Sequence, residues 1–240
     1  MIASLILAGI SALAMTVPNK VSAQEPEFKM RNYILCVLET APNAPLVESV
    51  VLNELQADHL EFLEGLRKQK RALAIGPLEE AGTMRGLVFF DAEKVDKPKE
   101  WMASEPMIKR GLLKPRFVTW YASDKTFRPG GEFLDLEALW FAKLDRPEGL
   151  PALDAATSQA LGEAHMANIN LMAKEEILLA AGPMGEDAGN WRGIYIFADR
   201  ERAEIEAAVM RDAMFKQGRL KLGLYRWYTS RGTFGPVEGS

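Results

Sequence analysis

Ala72-Leu73-Ala74-Ile75-Gly76-Pro77-Leu78 returns 106 residues later as Leu178-Leu179-Ala180-Ala181-Gly182-Pro183-Met184. An apolar run closed by Gly-Pro reads as a strand entering a turn. Its second appearance makes the chain two copies of one unit. Working outward, the two histidines of the sequence, His59 and His165, keep the same offset of 106. The offset becomes 107 at Arg85-Gly86 against Arg192-Gly193, and stays there for Gly111 against Gly218 and Trp120-Tyr121 against Trp227-Tyr228. A period of this length describes two similar domains, not a solenoid of short units.

The 240 residues are 48% hydrophobic with a formal net charge of −4. That suits an ordinary globular protein, and a copy of roughly 100 residues is large enough for its own core. The mild acidity, with no basic stripe, excludes a nucleic-acid groove. The short clusters Arg67-Lys68-Gln69-Lys70-Arg71 and Lys216–Lys221 read as solvated faces.

Residues 1–23 are of another kind. Ile2 to Val17 is almost continuously apolar, Pro18-Asn19-Lys20 ends the run, and Val21-Ser22-Ala23 supplies small residues. This reads as a secretory signal peptide cleaved after Ala23. It places the mature chain in the periplasm or outside the cell, with no stable membrane span after cleavage. The competing reading is an uncleaved anchor, for which the run is marginal in length. The single Cys36 lies within Tyr33-Ile34-Leu35-Cys36-Val37-Leu38, an apolar run suited to a strand interior, and reads as a buried, inert thiol.

Each copy predicts the order β-α-β-β-α-β. In copy one the first strand is Tyr33 to Leu38. A helix follows with Val47, Val50, Val51, Leu55, Phe62, Leu63 and Leu66 at three- and four-residue spacing. Strands at Ala72 to Leu78 and Leu87 to Phe90, a helix near Lys97 to Ala103, and a β-branched and aromatic strand at Phe117-Val118-Thr119-Trp120-Tyr121 complete it. Copy two repeats the order from Ala138 to Tyr228. The domains are therefore 31–122 and 138–229, joined by a linker at 123–137 with Arg128-Pro129-Gly130-Gly131 at its turn, and followed by a tail at 230–240. This order is the ferredoxin-like split βαβ arrangement, α+β in class, with both helices on one face of an antiparallel sheet. The other, apolar face needs cover. Two copies in one chain predict that the sheets face each other as an intramolecular pseudo-dimer.

These residues resemble the YCII-related domain, a member of the dimeric α+β barrel group. The marks are a histidine on the first helix (Asp58-His59, Ala164-His165), a Leu-x-x-Gly-Pro strand end, and an acidic segment running to a glycine. That segment is Glu105-Pro106-Met107-Ile108-Lys109-Arg110-Gly111 in copy one and Asp212-Ala213-Met214-Phe215-Lys216-Gln217-Gly218 in copy two. The family shows Asp-Pro-Phe there. Copy two keeps the aspartate and copy one keeps the proline. The resemblance implies a His–Asp dyad at a pocket between helix and sheet, with relatives that act as dehydrochlorinases or muconolactone isomerases.

The candidate catalytic residues are thus His165 with Asp212, and His59 with Glu105. A carboxylate fixes the imidazole tautomer while the other ring nitrogen takes a substrate proton. The plainer reading is that each histidine is a satisfied core residue, because Leu55 and Leu161 precede His59 and His165 by four on an apolar face. Arg85 and Arg192 share a register and are candidate anchors for a substrate carboxylate, against the plainer role of surface ion pairs. No metal is expected, because the histidines lie in separate domains without Cys partners. No cofactor is expected, because dinucleotide and phosphate-loop fingerprints are missing from the sequence. The function expected is a lyase or isomerase on a small-molecule ligand. The alternative is a non-catalytic ligand-binding or scaffold protein. Further homo-oligomerisation stays open.

Overall fold

A computed structural model describes residues 29–235. The expected leader at 1–23 and the end of the expected tail lie outside the described residues. Copy one contributes strands β1 (Met30–Thr40), β2 (Ala72–Glu79), β3 (Met84–Phe90) and β4 (Leu113–Ser123), with helices α1 (Ser49–Lys68), α2 (Asp96–Met102) and α3 (Pro106–Lys109). Copy two contributes β5 (Leu136–Asp145), β6 (Leu178–Pro183), β7 (Trp191–Phe197) and β8 (Lys221–Ser230), with α4 (Ala155–Lys174), α5 (Arg202–Val209) and α6 (Ala213–Lys216). The single expected second helix of each copy is thus two: a longer one, then a four-residue turn opened by Glu105 or Asp212. A 3-10 turn at Glu186–Ala188 was not anticipated.

Within each copy all strand pairs are antiparallel, and the overall order is β4-β1-β3-β2-β8-β5-β7-β6. The two half-sheets therefore join edge to edge, which the sequence reading did not anticipate. At one seam β2 pairs with β8, Leu78 opposite Trp227. At the other, Trp120 bridges to Met184, and the Gly185 N–H donates to the Thr119 carbonyl at 2.8 Å. The two outermost strands of the order thus also meet.

Alternation along the strands explains their unbroken apolar runs. Tyr33, Leu35 and Val37 of β1 and Leu139 and Phe141 of β5 enter one inner cluster with Leu87, Phe89, Ile194 and Ile196. Ile34, Cys36 and Leu38 turn outward to Leu63 and Leu66 of α1, while Ala142 and Leu144 turn outward to Met172 of α4. Both faces are covered, so neither face needs polar residues. Cys36 is fully buried in the outer cluster, and burial pushes its thiol pKa up, which keeps it an unreactive thiol.

The tryptophans and the Gly-Pro glycines of the repeat form one device at the seams. Trp227 Nε1 donates to the Gly76 carbonyl at 3.1 Å, and Trp120 Nε1 to the Gly182 carbonyl at 3.2 Å. A Cβ on Gly76 would stand 1.6 Å from the Tyr228 carbonyl oxygen, and one on Gly182 2.1 Å from that of Tyr121. Only glycine admits the neighbouring copy's backbone there.

Candidate active site

The acidic position of each copy is a helix N-cap. Asp212 Oδ1 accepts the Met214 N–H at 2.7 Å, which satisfies an orphan donor of α6. The extra methylene of Glu105 lets it accept two, from Met107 at 3.1 Å and Ile108 at 2.7 Å. In both copies the same carboxylate also holds the histidine of the long helix. His165 Nδ1 lies 2.6 Å from Asp212 Oδ2, and His59 Nδ1 lies 2.8 Å from Glu105 Oε1. The replacement of aspartate by glutamate therefore leaves the pair in contact.

Both carboxylates are shut away from water, Glu105 at 0% and Asp212 at 1% exposure. Burial raises the Glu105 carboxyl. The His59 hydrogen bond and the two backbone N–H groups outweigh it and hold its pKa below the usual glutamate value. A carboxylate acceptor makes Nδ1 the donor in each pair, so Nε2 is left as the acceptor.

The two copies differ at Nε2. In copy two the Tyr195 hydroxyl stands 3.4 Å from His165 Nε2, and the two rings lie 6.3 Å apart with an interplanar angle of 25°. Burial, then the Asp212 charge, pushes the Tyr195 pKa up, so the phenol stays protonated and can donate. Copy one has Val88 at the corresponding position, 107 residues earlier. Tyr195 was missed in the sequence because it lies inside an apolar strand. The Val-to-Tyr difference between otherwise similar strands was the available signal.

His165 and Tyr195 line a cavity of about 1100 Å³ between α4 and the sheet, with Leu144, Ile169, Leu178 and Ala181 among its apolar walls. Among the described residues three cations border it, Lys125 and Arg128 from the linker and Arg192 from β7, and no acidic residue does. Arg192 thus stands at the cavity. Arg85, its counterpart, instead donates from Nε to Thr40 Oγ1 at 2.7 Å on an exposed surface. The His59 side chain keeps 11% of its surface exposed against 21% for His165. The hollows beside α1 are lined by residues such as Asp58, Trp101 and Ser104, or Leu60, Glu64 and Phe133, and neither includes His59. Among the described residues no cluster of three metal-binding side chains occurs, and no helix is long and apolar enough to cross a membrane.

Residues 33–120 match the family model of the YCII-related domain. The match falls on copy one, so copy two is tied to the domain through the internal repeat. No curated protein matches the chain. Among solved structures, a haem-binding protein from Thermus thermophilus is 14% identical, with 85% of this chain and 94% of that one covered at a TM-score of 0.54. A variant of chlorite dismutase from Candidatus Nitrospira defluvii is 12% identical, covering 85% and 92% at a TM-score of 0.56. Identities this low establish a shared dimeric α+β barrel fold and nothing about chemistry.

Proposed function

We propose that the protein binds a small anionic apolar molecule in the copy-two cavity and abstracts a proton from it with His165, as a lyase or isomerase does. The two YCII-like units are read as a pseudo-dimer made within one chain. The expected leader places its work in the periplasm or outside the cell. The observation that carries the reading is the 2.6 Å Asp212–His165 pair on the wall of a large apolar cavity whose charged rim, among the described residues, is cationic.

In this reading Arg192 meets the ligand's anionic group, and the apolar walls take its carbon skeleton. His165 Nε2 accepts the proton of an acidic C–H. Asp212 holds the ring and stabilises the imidazolium that forms. The Tyr195 hydroxyl, released from Nε2 by the incoming C–H, donates a hydrogen bond to the oxygen on which charge develops. The long 3.4 Å contact makes that release inexpensive. A tightly placed base contributes roughly 10²- to 10⁴-fold in rate.

Haem, which the Thermus relative binds, would compete for the same atom: an Nε2 whose Nδ1 is held by a carboxylate is a usual donor to iron, and here it faces the Tyr195 hydroxyl. The second reading, ligand binding without catalysis, is favoured by one observation: copy one keeps its histidine–carboxylate contact with a longer acid, as a purely structural cap would.

The test is a thermal-shift screen of aromatic and aliphatic carboxylates and ring lactones, because a ligand of the folded state raises Tm by mass action. Ligands found are then followed by NMR for deuterium uptake from solvent at the acidic carbon. Uptake with the wild type and none with His165→Gln, binding being retained, is expected. Uptake that survives His165→Gln ends the general-base reading. Ligands that bind equally well to Arg192→Met end the anion-anchor role.

A further inference from the structure

The two halves are built alike, and one linker joins them. After β4 the chain runs on through the linker into β5, and the linker turns back over copy one. Leu60, Leu63, Glu64 and Arg67 of α1 are the counterparts, 106 residues earlier, of the cavity-wall residues Met166, Ile169, Asn170 and Ala173. Ala72 and Ile75 of β2 likewise correspond to Leu178 and Ala181. Phe133 of the linker, 8% exposed, belongs to the buried cluster that holds Leu63, Ala72 and Ile75. The Arg67 guanidinium lies 5.9 Å from the centre of its ring. The linker thus places a benzyl group where copy two has an open cavity.

That placement is held from both sides. Ser230 Oγ donates to the Phe133 carbonyl at 3.2 Å, and Arg67 Nη1 donates to the Gly131 carbonyl at 2.8 Å. The Arg231 N–H donates to the Asp135 carbonyl, also at 2.8 Å. The Arg67 Nε is buried without a hydrogen-bond partner, a donor that an acid group would satisfy.

We propose that copy one retains a second binding site for anionic apolar molecules, with the His59–Glu105 pair at its wall, and that Phe133 is the plug that keeps it closed. The chain supplies its own occupant to copy one. Loss of the ring opens copy one and makes Arg67 available to the ligand's anionic group. The choice of ligand class rests on the reading of the copy-two cavity; the plug does not.

The test counts bound 8-anilinonaphthalene-1-sulfonate, an anionic apolar fluorophore, by isothermal titration on the full chain. The wild type and Phe133→Leu, which keeps the space filled, are expected to take one molecule. Phe133→Ala is expected to take two. With just two histidines in the chain, their ring C–H signals report each site separately in NMR. The His165 signal should move with the dye in every variant, and the His59 signal only in Phe133→Ala. Should that variant lose its fold by circular dichroism, Phe133→Val removes less volume and gives the same readout with a weaker second site. A folded Phe133→Ala or Phe133→Val that binds one molecule and leaves His59 unmoved overturns the plug. A wild type that binds none while Phe133→Ala binds one, moving His59, overturns the copy-two cavity reading and upholds the plug.

Discussion

Asp212 performs two tasks with one carboxylate, capping α6 with Oδ1 and holding His165 with Oδ2. The tasks separate by substitution. Asp212→Asn keeps an acceptor for the Met214 N–H but loses the charge that stabilises an imidazolium. It should lower any His165-dependent proton exchange by about 10²-fold or more with a small change in Tm. Asp212→Ala loses the cap as well, adding about 1 kcal/mol of destabilisation in a urea melt. Equal exchange rates in wild type and Asp212→Asn would refute the dyad. Glu105 carries a pH signature. Its folded pKa lies below its ordinary value of 4.5, so the carboxylate's contribution is complete above that value and fades as pH falls through the lowered folded pKa. Urea melts from about pH 6 down to about pH 3 should show wild-type stability falling in that window, and Glu105→Gln losing less. Parallel curves would remove Glu105 from the account.

At the scale of elements, the decisive feature is how strand ends meet across the seams. Gly76 and Gly182 face backbone oxygens of the other copy at distances no Cβ could occupy. Backbone cannot swing aside as a flexible side chain does. Gly76→Ala should therefore reach or exceed the top of the roughly 1–3 kcal/mol range of overpacking substitutions. Gly65, mid-helix with open space around it, supplies the control: Gly65→Ala should stabilise α1 slightly. Chemical denaturation followed by tryptophan fluorescence compares the two, and a Gly76→Ala as stable as wild type would show that the seam yields. The register irregularities recur at equivalent places, between Ala72 and Ala74 in β2 and between Leu178 and Ala180 in β6. Each copy thus bends its strand at the same point before the Gly-Pro end.

For the whole molecule, the inner cluster draws on both copies, with Phe89 against Trp120 at 5.3 Å and against Trp227 at 5.6 Å. A half made alone would expose that face and two strand edges. Residues 136–235 expressed alone should sediment as a dimer or larger species. A stable monomer would contradict dependence of each half on the other. The charge of the whole is −4, yet the charged residues that border the copy-two cavity are, among the described residues, cations. Long-range attraction of anions is weak here, so selection of an anion rests on local contacts with Arg192 and its neighbours.

Much of this was legible in residue order. The 106-residue recurrence, the β-α-β-β-α-β pattern and the pairing of each histidine with a later acid are properties of spacing, and spacing survives divergence because local periodicity dictates each strand and helix. The Gly-Pro and Trp-Tyr landmarks were visible too, but as a turn and as core. Their union across the seams depends on residues 62 positions apart at one and 151 at the other, separations over which no local rule acts. The same holds for the inequality of the two sites. Tyr195 against Val88 is a difference any reading of the repeat displays, but that it faces His165 follows only from strand direction and helix placement. The occupation of copy one by Phe133 follows from the path of a linker whose composition says merely that it turns. Sequence determined the repeated unit, because each element is written in short-range pattern. The tertiary structure decided how the units close on each other and which histidine faces a cavity, because both are set by packing between segments far apart in the chain.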